Sequence, residues 1–181
     1  MNIFALNRNP RVASKQHFQK HVIKMILESA QMLSTVFWLQ DPERAEILNN
    51  EGFIYKRVHT KHPCTIWANQ CLENFSWLAE LAMDLSKEHN LRFMPKNVHK
   101  SLKIVEYAYY NPPPTLSALG AMTPFALAMP DDCKIGNPIF SYRTYYTSPY
   151  KQHLVDWGKG SEPLWWDNHE IDSDMPPLTN K

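Results

Sequence analysis

Glycine is scarce in this chain, with only 5 among 181 residues. So few glycines leave no room for a Gly-rich phosphate loop, which excludes the P-loop nucleotide-hydrolysing folds. Nowhere does an uncharged apolar run approach 18 residues, so no membrane span is expected. The opening segment MNIFALNRNP has no long apolar core of the kind a signal peptide carries. Net charge is nearly absent too: a formal +1 gives no global attraction to nucleic acid, although a local basic patch can still bind phosphate. Cysteine is limited to Cys64, Cys71 and Cys133. An odd count at irregular spacing excludes a disulfide framework or a zinc ribbon and points to reduced thiols in a cytoplasmic setting.

What is present is apolar and aromatic: 44% hydrophobic residues, enough for a core. Charge is distributed unevenly. Arg8, Arg11, Lys15, Lys20 and Lys24 occur without an acid between residues 8 and 24, whereas Glu162, Asp167, Glu170, Asp172 and Asp174 crowd the end. The periodicity predicts a mainly α protein: one compact helical domain over residues 1–166, with an acidic, frayed tail over 167–181. MNIFAL reads as an extended segment or short strand. A first long helix runs from about Val12–Ser14 to Leu39, with Phe18, Val22, Met25, Ile26, Ala30 and Leu33 as its apolar ridge.

Asp41-Pro42 ends that helix or begins a short extra turn, and residues 41–64 read as irregular, with an extended piece at FIYKRVH. A second long helix follows from HPCTIWANQCLENFSWLAELAMDLSKEH, its ridge formed by Trp67, Cys71, Phe75, Leu78, Ala82 and Leu85. A third covers Val98–Tyr109 and stops at NPPP. Residues 111–138 form a proline-rich loop apolar enough to pack on the body, Pro138 opens a short helix, and PYKQHLVDW suggests another.

Within the first helix His17, His21, Lys24 and Glu28 fall at steps of four, three and four, so they form one stripe. Histidine moves protons near neutral pH, a partly desolvated lysine supplies a nucleophilic amine, and a glutamate can orient that amine or accept its proton. These four are the candidate catalytic set; the same stripe would also serve as a plain solvated face. Candidate substrate-binding residues are Lys20, Lys61, His62, Trp67, His99, Lys100 and Arg143. Lys61 and His62 stand at a helix start where free backbone N–H groups favour anions. His99 and Lys100 form a second His-Lys pair, Arg143 can hold a phosphate, and Trp67 can stack on a base. No cofactor is required. The metal alternative would use His17 and His21 at i and i+4 with a third ligand from elsewhere, as in a metal-dependent hydrolase.

MNIF, QHFQKHVIKMILESAQML, HPCTIWA, NFSWL, VHKS, TPFALAMPDD and YRTYY together resemble a family of small tailed-phage proteins. Its members carry a His-x-x-Lys-His-Val-x-Lys-Met stretch, matched here by His17, Lys20, His21, Val22, Lys24 and Met25. The resemblance covers roughly residues 1–157 and implies a phage protein made in the bacterial cytoplasm; it brings no established activity. A shorter likeness, over about 25 residues, is to the phage pyrimidine-dimer DNA glycosylases, through an extended N-terminus followed by Gln16-His17. Those enzymes use a free N-terminal amine and a glutamate on the first helix. Asn2 is too large for routine methionine removal, and the glutamate position falls nearer Lys24 than Glu28.

The expected function is therefore a phage enzyme acting on a nucleotide or on a base in DNA, by glycosidic-bond cleavage or base modification. A non-enzymatic phage factor binding a host protein or nucleic acid is the alternative from another class.

Overall fold

The computed structural model describes residues 1–168; the expected frayed tail, beyond Asp167 and Asn168, lies outside the described residues. Two 22-residue helices, α2 (Gln19–Gln40) and α5 (Leu72–Phe93), form the centre. Around them lie α1 (Pro10–Lys15) on α5, α3 (Pro42–Asn50) on α2, and α4 (Pro63–Ala68) and α6 (Leu102–Tyr110) against both long helices. A last helix, α7 (Pro138–Thr147), follows the proline-rich loop. No strand occurs among the described residues, so the fold is mainly α. The two predicted apolar ridges are buried throughout, Phe18 to Leu33 on α2 and Trp67 to Leu85 on α4 and α5.

The predicted first helix is broken at His17-Phe18. Phe18 adopts an extended conformation (ψ 150°), which turns both the His17 and Phe18 side chains inward. The carbonyls that the break strands are taken by Arg92 of α5, whose guanidinium donates to Lys15 O and His17 O, each at 2.7 Å. The predicted second helix is likewise two. Cys71 is extended between α4 and α5, and the Leu72 N–H turns away to Ser117 O at 3.0 Å. PYKQHLVDW yields only a 3₁₀ turn, Gln152–Leu154.

Residues 42–50, read as irregular, are helical. Asp41 caps them by accepting from the Arg44 N–H, and Pro42 suits the first helical position. FIYKRVH is held along α2 by side chains rather than by another strand: Ser34 Oγ accepts from Tyr55 N at 2.9 Å, and Thr35 Oγ1 donates to Val58 O at 2.8 Å. MNIFAL is largely buried and is not a strand; it turns at Phe4 (φ 35°), where Leu6 N donates to Phe4 O at 2.8 Å.

By length and composition α2 could cross a membrane, but 61% of its apolar window is buried inside this fold, as in a core helix. Asn74 fastens the proline-rich loop to that core. It is fully buried, donates to Trp67 O at 2.8 Å and Thr123 Oγ1 at 2.7 Å, and accepts from Thr123 N at 3.0 Å. Asn74→Ala strands buried groups on both sides and should cost about 2–3 kcal/mol, read from the denaturant midpoint. A loss under 0.5 kcal/mol would mean the loop is held otherwise.

Candidate functional site

The expected stripe is not one helix face: His17 lies in the break before α2, only His21, Lys24 and Glu28 lie on α2, and the four residues divide between two environments. His17 and His21, 0% and 5% exposed, lie in a nest of rings from the N-terminal segment, α2 and α7. Phe4 stacks on His21 with centroids 4.4 Å apart, and Phe18 stacks on Tyr146 at 4.2 Å. To place its ring there Phe4 takes a left-handed backbone (φ 35°). That conformation is strained for a non-glycine residue, and such strain gathers at functional sites.

His17 Nδ1–H donates to Ala13 O at 2.8 Å, and its Nε2 is buried with no hydrogen-bond partner among the described residues. Burial holds its pKa down at about 4. His21 Nδ1 meets the Tyr146 hydroxyl at 2.5 Å. Burial keeps that phenol protonated, so it donates to Nδ1 and leaves the His21 proton on Nε2. Desolvation, then the nearby His17, Lys151, Lys24 and His153, push His21 down to about 2. Both imidazoles are thus neutral at physiological pH.

Lys24 and Glu28 follow on the same helix, Lys24 in solvent and Glu28 nearly covered. Glu28 is only 8% exposed, yet two ammonium groups approach it: Lys24 Nζ at 3.5 Å and the Met1 amino group at 3.7 Å. Spatially, then, Glu28 rather than position 24 presents a carboxylate to the amino group of Met1. His62 belongs to this corner. Desolvation first, then the Met1 ammonium and His59, lower its pKa, and Glu28 opposes them. It also caps α4, its Nδ1 accepting from Cys64 N at 3.2 Å. Lys151, from the turn after α7, reaches over Phe4 and Tyr145 and senses both Lys24 and Glu28. The corner therefore holds two ammonium groups on one carboxylate, with Lys151 a further positive charge nearby, a net positive charge able to receive an anion.

No protein-family model, curated protein or solved structure matches the chain.

The remaining candidates are dispersed. Lys20, Lys61 and Lys100 are exposed, the first a turn before Lys24 and the second next to His62. His99 rests edge-on against His89 of α5 and accepts from Ser101 N at 3.2 Å. Trp67 is 2% exposed, packed against Trp77 and Phe125, and would have to be uncovered to stack on a base. Arg143 is fully buried, its Nε donating to Leu6 O at 3.0 Å and its guanidinium over the Trp165 ring. From there it tethers the N-terminal segment to α7. His17 and His21 join no metal-binding group of three or more His, Cys, Asp or Glu among the described residues. The three cysteines are free and buried, and burial drives the Cys64 thiol up to about 12, which leaves it unreactive.

Sequence reasoning did not single out Phe4, Lys151 or the Met1 amino group, and it offered Tyr146 only as one of several aromatics that could stack on a base, whereas that ring is fully buried against His21. MNIFAL and YRTYY were visible as segments, but only the fold brings them to His21.

Proposed function

We propose that the chain is a phage enzyme acting on a nucleotide or a base in DNA, through cleavage of a glycosidic bond or modification of the base. The observation that carries this reading is Glu28, a nearly buried carboxylate with amines on both sides at 3.5 and 3.7 Å. A carboxylate so placed takes the proton an amine sheds as it becomes a nucleophile, and returns it to a departing base. The surrounding positive charge favours a phosphate-bearing substrate, with exposed Lys20 and Lys61 available along its backbone. Neutral His21 borders the corner as a hydrogen-bond donor. The juxtaposition of an amino group and a glutamate on an early helix is also what the likeness to the phage pyrimidine-dimer glycosylases implies.

Incubation with duplex DNA containing an abasic site, followed by borohydride reduction, should leave a covalent protein–DNA complex that survives denaturation. Glu28→Gln should slow its formation about 100-fold or more, within the range general acid–base groups supply. Absence of any complex with the folded wild-type protein, or full activity in Glu28→Gln, would remove the reading.

A further inference from the structure

The chain between Glu51 and Glu73 holds no acidic residue, yet it carries Lys56, Arg57 and Lys61, with His59 among them. All four side chains are exposed, and none of the three cations has an ion-pair partner among the described residues. The backbone beneath them is fixed to α2 at two half-buried residues. Tyr55 N donates to Ser34 Oγ at 2.9 Å and Tyr55 O accepts from Trp38 Nε1 at 3.0 Å, while Val58 N donates to Thr35 Oγ1 at 3.2 Å. Between and beyond these anchors the donors are unused: the N–H groups of Lys56, Arg57, His59, Thr60 and Lys61 reach no acceptor among the described residues. His59 takes a left-handed backbone (φ 51°), and the turn it makes closes with His62 N donating to His59 O at 3.0 Å. Successive free N–H groups under cationic side chains are an arrangement that binds phosphate oxygens. An unpaired backbone edge also suits an extended peptide. Three unpaired cations with no acid in the segment favour a polyanion instead.

The segment is aligned with the candidate site. Its anchor Thr35 lies seven residues after Glu28, two turns along the same face of α2, and Lys24 and Lys20 continue that face at steps of four. From Thr35 to Lys20 is about 22 Å along the helix, room for several phosphates of one strand. At its other end the segment runs into α4, where the Cys64 Sγ lies 3.9 Å from the Tyr142 hydroxyl, and the Tyr142 ring lies 6.2 Å from Phe4. We infer that residues 55–62 form a binding strip for a DNA backbone, with Lys56, Arg57 and Lys61 holding phosphates on one side of the Glu28 corner and Lys24 and Lys20 on the other. The choice of DNA among polyanions rests on the base-processing reading above.

Fluorescence anisotropy with an undamaged duplex, followed across salt concentration, tests the strip without requiring any chemistry. Lys56→Gln/Arg57→Gln/Lys61→Gln should weaken binding at low salt by about tenfold or more and lower the slope of log K against log salt by about 2–3. These side chains are exposed, so the variant should melt with the wild type. Arg44→Gln/Lys134→Gln/Lys159→Gln removes the same charge from elsewhere and should leave the slope unchanged. Equal losses in the two variants, no loss in the first, or no binding of the duplex by the wild type at low salt overturns the inference. On the unsubstituted protein, the amide resonances of Lys56, Arg57, Thr60 and Lys61 should shift when the duplex is added. Shifts confined to other residues, or shifts of these amides with polyglutamate but not with DNA, overturn it too. Borohydride trapping on abasic duplex separates the two readings. Strip-dependent binding without any covalent complex keeps the strip and removes base processing. A complex that forms with the same dependence on DNA concentration in the strip variant keeps base processing and removes the strip.

Discussion

Acidification from pH 7 to pH 5 should strip about 4 kcal/mol from the folding free energy, most of it through His17 and His21. Both rings are buried and neutral in the native state, with pKa values held down at about 4 and about 2. In the unfolded chain each returns to its ordinary 6.5. Below that value the unfolded state binds more protons than the native one, so stability rises with pH. The contribution is complete above about pH 6.5 and is lost as pH falls, down to about 4 for His17 and about 2 for His21.

Each histidine gives a slope near 1.4 kcal/mol per pH unit inside that window, which two rings double. Thermal melting should fall by about 10 °C over the same interval for a domain of this size. His62 and His99, only partly buried, shift in the same direction and add a smaller slope. The decisive quantity is therefore the difference between the wild type and a His17→Gln/His21→Gln double variant, which should be less pH-dependent by about two protons. Parallel curves for the two proteins would show that the rings titrate freely in the fold.

These histidines also mark the limit of what the chain reveals before it folds. Helical periodicity correctly placed the buried side of α2, because Phe18, Val22, Met25, Ile26, Ala30 and Leu33 recur at the spacing of one face. The same periodicity put His17, His21, Lys24 and Glu28 in one stripe, but it carries no information about what covers that stripe. Phe4 comes from the N-terminal segment and Tyr146 from 125 residues beyond His21; together they close over the first half of the stripe, while Lys24 remains in water.

The helix breaks were hidden for a related reason. Nothing local in SKQHFQK forbids a continuous helix; the partner that compensates the break is Arg92, 75 residues away from His17. Cys71 is similar, since Leu72 finds its acceptor at Ser117. By contrast the signal for α3 was local, an Asp41 N-cap followed by a proline at the first helical position, yet the polar composition of the segment read as irregular beyond a short turn. Arg143 illustrates the opposite error. A positive charge amid tyrosines suggested a phosphate ligand, but the side chain is sealed inside and bonded to Leu6. Sequence spacing thus fixes faces and some caps, while long-range hydrogen bonds decide where helices stop and which charges reach solvent.

Arg92→Ala should be among the most damaging single substitutions in the chain, lowering stability by about 3–5 kcal/mol in a urea titration. The guanidinium is 4% exposed and divides its donors among three groups: His17 O and Lys15 O at 2.7 Å each, and Glu88 Oε2 at 3.0 Å. Alanine would strand two carbonyls at the α1–α2 break and leave Glu88 without its countercharge. Arg92→Lys keeps the charge but has no planar fork, so it can serve one carbonyl well and should recover only about half the loss. Both variants should also loosen the aromatic nest, because the break that Arg92 closes is what turns His17 and Phe18 inward. Fluorescence of Trp157, which packs against Phe18, should report that loosening at denaturant concentrations below global unfolding. Gly160 offers an approach to the same clamp from outside: a methyl group built there would meet the Arg92 Cζ at 2.7 Å. Gly160→Ala should therefore displace the guanidinium and destabilise in the same direction, by less than Arg92→Ala. If Arg92→Ala unfolds at the wild-type midpoint, the two carbonyls are satisfied without it, and the break at His17-Phe18 has another cause.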